Sequence, residues 1–251
     1  MIERSETDGI AIITLAHGKV NAMDIELCQA VIDTFQDLRS SGAKAVILTG
    51  QGAVFSAGVD LLRTSSGGPA YVRQFLPVLN AMFAAVFDFP RPVIAAINGH
   101  AIAGGCVLAC CADLRLMAQA NGRIGVTELL VGLPFPALAF EVMRLVTTPR
   151  FFPRAIYGGE TFLAEGGAER GWVDGTVPGV ALMERAVRAA RTLAEHPAVT
   201  FEMTKRQMHM PVNERLAREG QQIDAAVIDI WATPDATARI RAYVEKTLKK
   251  R

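Results

Sequence analysis

The chain has 251 residues, 51% of them hydrophobic and 20% charged, and its 26 Lys and Arg against 25 Asp and Glu give a net charge of +1. This composition is typical of one large globular domain, or of one domain with an appendage, and excludes a disordered chain or a bundle of membrane helices. The near-neutral charge also argues against the basic surface that nucleic-acid binding needs, so we expect no nucleic-acid partner.

The first part of the chain alternates between strand and helix patterns. Short β-branched runs at Ile10–Leu15 and 45–49 flank helical apolar spacing over 24–39. The pattern continues with a helix at 71–87, a strand at 92–97, a helix at 104–111 and a strand at 114–117. This alternation predicts an α/β fold with right-handed crossovers and a largely parallel sheet.

Residues 92–112 form a run of 21 residues without Asp, Glu, Lys or Arg. The run is long enough to span a bilayer. However, it opens with Pro92 and carries Asn98, His100 and several glycines in its middle, which suit a lipid-facing helix poorly. We therefore predict a buried strand, a glycine turn and a buried helix, and no membrane partner.

The C-terminal part reads as helical. Helical patterns cover 180–194, 199–208, 215–230 and 235–249, with Pro197, Pro211 and Pro234 between them. We predict an α/β core over 1–195 followed by a helical region over 196–251. The small residues at 65–69 predict a loop, interpreted as a mobile flap near a site.

Four cysteines, at positions 28, 106, 110 and 111, lack the paired spacing of a zinc site. We interpret them as reduced core residues and expect no metal. Residues 1–10 contain early acids and no apolar signal segment, so the expected location is cytoplasmic.

Two glycine-rich turns follow buried strands, one within 46–62 and one within 93–109. Free backbone N–H groups at such turns favour negative charge on a ligand. Neither turn is a nucleotide motif: the spacing from Gly99 to Gly104 lacks the Lys and Ser/Thr of a phosphate loop, and no GxGxxG is present. We therefore expect no nucleotide or redox cofactor.

Three segments occur in an order and spacing that resemble the crotonase superfamily, also called the enoyl-CoA hydratase/isomerase family. They are FSAGVDL at 55–61, AINGHAIAGGCVLACCADLRL at 96–116 and IGVTELLVGLP at 124–134. Two outer segments, GKVNAMD at 18–24 and AERGWVDGTVP at 168–178, are also similar to the family pattern. The resemblance covers most of the chain.

The resemblance implies a spiral of ββα units with a helical C-terminal region that forms a homotrimer or a dimer of trimers, and acyl-CoA thioesters as substrates. Coenzyme A would be part of the substrate. By position, the N–H groups of Val59 and Gly104 would hold the thioester oxygen in an oxyanion hole. The substrate-binding positions would be Ala57, Gly58, Asp60, Leu61 and Gly105, with Asp60 equally suited to cap a helix.

The acids distinguish the reactions of this family. Hydratases use two glutamates to activate water, and the matching positions here are Val107 and Glu128. Since valine transfers no proton, the pattern favours isomerisation of 3-enoyl-CoA to 2-trans-enoyl-CoA in fatty acid oxidation, with Glu128 as proton shuttle. The segments around 103–116 and 124–136 and the C-terminal residues resemble the 3,2-trans-enoyl-CoA isomerase branch. The acyl pocket is predicted from Leu61, the helix at 71–87, Leu133 and Phe135.

Several alternatives stay open. One is other enolate chemistry on acyl-CoA, such as hydration by a reduced site, thioester hydrolysis or decarboxylation. Another is an inactive member that only binds acyl-CoA.

Three further residues are given structural interpretations. His100 is interpreted as a packed histidine, Asp113 as part of a structural ion pair, and Ser56 as non-nucleophilic because no GxSxG elbow surrounds it.

Overall fold

The computed structural model describes residues 1–248. The predicted C-terminal helix and C-terminal region extend into residues 249–251, which lie outside the described residues. The strands are β1 (Ile2–Thr7), β2 (Ile10–Leu15), β3 (Ala45–Gly50), β4 (Val54–Ser56), β5 (Val93–Ile97), β6 (His100–Ile102), β7 (Leu114–Gln119), β8 (Ile124–Gly125) and β9 (Gly175–Pro178). The helices are α1 (Ile25–Ser40), α2 (Leu61–Phe87), α3 (Gly104–Cys110), α4 (Glu128–Val131), α5 (Ala137–Val146), α6 (Phe152–Gly158), α7 (Ala164–Glu169), α8 (Leu182–Ala194), α9 (Ala198–Arg215), α10 (Gln221–Trp231) and α11 (Pro234–Leu248).

The strands form two sheets. Six of them lie in the order β1-β2-β3-β5-β7-β9, and β4, β6 and β8 form a second, three-stranded sheet. Only the β1–β2 pair is antiparallel. The predicted α/β class and largely parallel sheet are confirmed. The four strands predicted from the pattern lie within about two residues of their expected bounds.

The apolar face of α1 shows how the main core forms. Leu27, Val31, Phe35 and Leu38 recur at helical spacing and are all buried. Asp24 caps this helix, because its carboxylate accepts a hydrogen bond from the Leu27 N–H at 2.8 Å. The helix packs against α2 in the core on one side of the larger sheet, whereas α8 covers a smaller apolar cluster on the other side.

The uncharged run at 92–112 is a buried strand, β5, then β6, a turn and the buried helix α3, so the prediction for this segment is confirmed. All four cysteines are free and buried, as expected. Among the described residues, α2 is long and apolar enough to cross a membrane by length and composition. In this fold α2 packs in the core against α1 and α11.

Two predictions about the helices are wrong. Residues 65–69 are not a flap but part of α2, which is kinked at Gly68 (φ +62°). The Ser65 and Ser66 hydroxyls donate to carbonyls one turn earlier, and the glycine accommodates the break before Pro69. Pro211 does not separate two helices either: it lies inside α9, which continues through a π-helical segment, Leu216–Gly220, into α10.

Candidate active site

The smaller sheet brings three turns to one edge. Its strands are parallel and β6 lies between β4 and β8, so the segments that follow them emerge side by side. These segments are 57–60 after β4, 103–105 after β6, and 126–128 after β8. Since neighbouring strands are about 4.8 Å apart, Gly104 in the middle segment is flanked by Val59 on one side and by Glu128 on the other.

Hydrogen bonds hold the first turn and leave one donor unused. Gly58, at φ +83°, donates its N–H to the Ser56 hydroxyl at 3.1 Å and accepts from the Met23 N–H at 2.8 Å. The Asp60 N–H in turn donates to the Met23 carbonyl at 2.9 Å. Because alternate residues of an extended segment face opposite sides, the Val59 N–H points away from Met23. Within residues 1–248 it donates to no acceptor.

The second turn contacts the first. Ala103, at φ +51°, precedes Gly104, the first residue of α3, whose N–H likewise has no acceptor in the described part of the chain. A Cβ atom on Gly58 would lie 3.0 Å from the Gly104 nitrogen, and one on Gly105 would lie 2.3 Å from the Ser56 carbonyl oxygen. Only glycine fits at either position, so the two turns touch through their backbones.

Glu128 begins α4 in the third turn. Its Oε2 atom is buried and makes no hydrogen bond to any described residue, although the residue as a whole is only half-buried. Burial raises the pKa of this carboxyl from its usual 4.5 to about 7, against the opposing effect of the Glu128 and Thr127 backbone N–H groups. Burial, then Cys110 and then the Glu128 charge raise the pKa of the Cys106 thiol on α3.

Helix α3 carries no carboxylate that could act together with Glu128. Val107 is 1% exposed, and every residue from Gly104 to Cys110 is buried. Among residues 1–248, no group of three or more His, Cys, Asp and Glu side chains is placed to hold a metal ion.

The other residues singled out in the sequence have structural contacts. Asp60 caps α2, accepting from the Arg63 N–H at 2.9 Å, and Leu61 begins that helix. The Ala57 N–H donates to the Val20 carbonyl at 3.0 Å. His100 accepts from the Arg123 N–H through Nδ1.

The interpretation of Asp113 as part of an ion pair is confirmed, and the Ser56 hydroxyl also has partners within the fold. Asp113 forms a buried ion pair with Lys205 at 2.9 Å, and the Ser56 hydroxyl donates to the Asn21 carbonyl at 2.7 Å. Since the Ser56 hydroxyl is held between Asn21 and Gly58, the structure is consistent with a positioning role rather than a nucleophilic one.

Sequence reasoning missed two polar features near these turns. Asn80 on α2 buries its Oδ1 atom without a partner in the described chain, and it is the sole polar residue between Gln74 and Asp88, which was the available signal. Asp24 binds both the His17 ring at 2.8 Å and the Arg63 guanidinium at 3.0 Å. That cluster joins residues far apart in the sequence, so no local pattern predicted it.

A cavity of about 550 Å³ opens beside α4. Its apolar lining includes Leu129, Phe135, Phe140, Ile156 and Val227, and its rim carries Glu141, Arg144 and Arg215. Of the residues predicted for the acyl pocket, Phe135 lines this cavity, whereas Leu61, α2 and Leu133 do not. Val59, Gly104 and Glu128 do not line it either.

Comparison with known proteins shows which family shares this sequence. Residues 5–250 match the family model for enoyl-CoA hydratase/isomerase. A putative enoyl-CoA hydratase of Thermus thermophilus is 29% identical over 90% of this chain and 90% of its own length. The mitochondrial enoyl-CoA delta isomerase 1 of Mus musculus is 25% identical over 100% of this chain and 88% of its own.

A solved structure confirms the predicted fold. The crystal structure of human mitochondrial delta3-delta2-enoyl-CoA isomerase has a TM-score of 0.94 to this chain at 22% identity, covering 100% of this chain and 99% of that one. The crotonase-like α/β fold is therefore confirmed, while trimer formation stays a prediction. With its family match over nearly the whole length, the chain belongs to the enoyl-CoA hydratase/isomerase family, whose enzymes act on acyl-CoA thioesters.

Proposed function

We propose that this enzyme isomerises 3-enoyl-CoA to 2-trans-enoyl-CoA. The observation that carries the proposal is Glu128: a carboxyl with a buried, unpartnered oxygen and a pKa raised to about 7, beside a turn whose backbone N–H is free. A group that both takes and returns a proton works best when its pKa lies near the working pH.

The reaction needs one base and one site for negative charge. Glu128 removes a proton from C2 of the 3-enoyl thioester, and the electron pair delocalises into a dienolate whose oxygen lies between the N–H groups of Val59 and Gly104. Protonated Glu128 then returns the proton at C4, which shifts the double bond to C2–C3. Proton and electron pair balance without a metal or a redox cofactor. Each well-aimed donor in such a hole is worth about 3–4 kcal/mol.

Val107 supports isomerisation over hydration. Adding water across a 2-enoyl thioester uses a second carboxylate on α3, where this chain has a buried valine. An apolar residue at that place keeps water from the dienolate, so that protonation by Glu128 is the available outcome. The hydratase names among the relatives make water addition the alternative to test.

The cavity beside α4 is lined by none of Glu128, Val59 and Gly104, so its proposed role is limited to the far end of a longer acyl group. Its floor is mainly apolar, and Leu129, on its wall, directly follows Glu128 in the chain. A cavity of about 550 Å³ lies within the range that small-molecule sites occupy.

A homotrimer, as a single trimer or a dimer of trimers, completes the proposal. Met203, Met208 and Met210 on α9 are 55%, 65% and 54% exposed, which suits a surface that packs against another subunit. Sedimentation of the purified chain measures the assembly directly, and a monomer at working concentration would contradict it.

The deciding experiment incubates the enzyme with 3-hexenoyl-CoA and follows the absorbance of the conjugated product. Glu128→Gln is the matched control, because it keeps the size of the side chain and removes the base. We expect conversion by the wild type and none by the variant. Equal conversion by both would refute the role of Glu128. Faster formation of a 3-hydroxyacyl thioester from 2-hexenoyl-CoA would make the enzyme a hydratase, and tight binding without turnover would make it a binding protein.

A further inference from the structure

A second, smaller cavity lies at the far end of the larger sheet from the candidate active site. It has a volume of about 220 Å³ and is formed where β3 and β5 begin and where α8 gives way to α9. Lys44 directly precedes β3, and Arg91 lies two residues before β5. The opposite end of β5 leads through β6 to the turn that carries Gly104, so the cavity lies at the end of β5 away from that turn.

The lining of this cavity carries two positive charges, those of Lys44 and Arg91. The His196 ring also lines it, and none of the lining residues is acidic. No ion pair or side-chain hydrogen bond joins any of the three to another residue between 1 and 248. Like charges gathered without a counter-charge repel one another, so an anion in the cavity would relieve that cost.

Arg91 provides the strongest observation. Its Nη1 atom is buried and donates no hydrogen bond to any described residue. Buried polar groups of proteins are almost always paired, and a charged donor left unpaired is especially costly. The guanidinium therefore needs an acceptor that residues 1–248 do not supply.

The start of α9 adds backbone donors. This helix of 18 residues begins at Ala198, which lines the cavity, and Pro197 before it offers no side-chain cap. The first N–H groups of a helix have no acceptor within the helix and carry the positive end of its dipole. They supply donors from a direction different from that of Arg91.

We propose that this cavity binds a phosphate group. A guanidinium fork, an ammonium group, an imidazole ring and a helix start present donors from several sides, which suits a tetrahedral anion with several acceptor oxygens better than a planar carboxylate or a chloride ion. The volume equals about seven water molecules, which is room for one phosphate group and a few waters. The phosphate is either free or the end of a small phosphate monoester.

The test measures binding of inorganic phosphate to the full chain by phosphorus NMR titration and by thermal unfolding, with sodium chloride adjusted to hold the ionic strength constant. We expect saturable binding and a midpoint of unfolding that rises with phosphate concentration. Arg91→Met should weaken binding by about tenfold or more, and Lys44→Met by a smaller factor because Lys44 is exposed. Arg154→Met, an exposed cation elsewhere on the surface, is the matched control and should bind like the wild type.

A second probe, glycerol 3-phosphate, distinguishes the two sources. Tighter binding than inorganic phosphate identifies a monoester as the resident, and equal or weaker binding identifies free phosphate. Absence of saturable binding, or equal binding by wild type and Arg91→Met, would overturn the proposal. A third outcome would also overturn it: Arg91→Met changes the assembly state, and neither variant nor wild type responds to phosphate. The partner of Arg91 would then be a carboxylate of a second copy of the chain. If Arg91→Met does not fold, Lys44→Met and His196→Phe decide the matter, because both positions are exposed.

Discussion

The ionisation of Glu128 should destabilise the folded enzyme, and Glu128→Gln should reveal by how much. Burial raises the pKa of this carboxyl from 4.5 to about 7, so the folded state holds a proton that the unfolded chain releases. For an acid whose pKa is raised on folding, stability falls as the pH rises from the unfolded value through the folded one. The full difference corresponds to about 3 kcal/mol above pH 7, of which little is present below pH 4.5.

Glutamine is a neutral side chain of the same size, so it avoids this cost at every pH. At about pH 4 the variant and the wild type should unfold at similar temperatures, because the Glu128 carboxyl is then mainly neutral in both the folded and the unfolded state. At about pH 8 the variant should be the more stable by up to about 3 kcal/mol, or about 6–12 °C for a chain of this length. Thermal unfolding followed by circular dichroism, at one protein concentration and several pH values, measures the difference.

The same ionisation should control the rate. Since only the carboxylate accepts the C2 proton, kcat/KM for isomerisation should fall about tenfold between about pH 8 and pH 6. A stability difference that stays constant from pH 4 to 8, together with a rate that is flat from pH 6 to 8, would refute the argument that burial sets this pKa. A midpoint near 4.5 in the rate profile would refute it equally.

Two further substitutions test the fold around the site. Gly58→Ala should lower isomerase kcat/KM by about tenfold or more, because the added Cβ would lie 2.6 Å from the Ile102 carbonyl oxygen and displace an oxyanion donor. Gly52→Ala is the control, since Gly52 is also at positive φ but faces open space. This substitution should cost only about 1–2 kcal/mol of stability and leave the rate unchanged. Lys205→Met should destabilise the fold by about 3–5 kcal/mol, measured by denaturant unfolding, because it leaves the buried carboxylate of Asp113 unpaired, whereas Arg188→Met at an exposed pair should stay within about 1 kcal/mol. Normal activity of Gly58→Ala, or equal stability losses at Lys205 and Arg188, would contradict these expectations.

Local periodicity explains which parts of the fold could be predicted. Strands β2, β3, β5 and β7 have five or six residues each and are mostly apolar, and α1 has a full amphipathic face with a cap. By contrast β4, β6 and β8 have only two or three residues, too few to show a period. These three strands nevertheless build the site, so its geometry could not be read from local pattern alone.

The predicted roles of Val59, Gly104 and Glu128 came from three matching motifs and stay predictions, but the structure explains why two glycines of these motifs are needed. Gly58 and Gly105 stand where a side chain would strike the neighbouring backbone, so these letters cannot vary freely. The errors at 65–69 and at Pro211 have the opposite origin. Serine, glycine and proline usually end helices, but here α2 resumes directly after a kink at Gly68, and Pro211 is accommodated inside α9. The hydroxyls of Ser65 and Ser66 donate to carbonyls one turn earlier, a contact that bends helices rather than ending them.

The burial of α3 has a mechanical consequence for the two halves of the site. All seven of its residues are enclosed by the core, so the Gly104 N–H can move only if surrounding side chains rearrange. Glu128 sits at the start of a four-residue helix whose next two residues, Leu129 and Leu130, are 40% and 55% exposed. We therefore expect any adjustment on substrate binding to occur at Glu128, while the Gly104 N–H keeps its position.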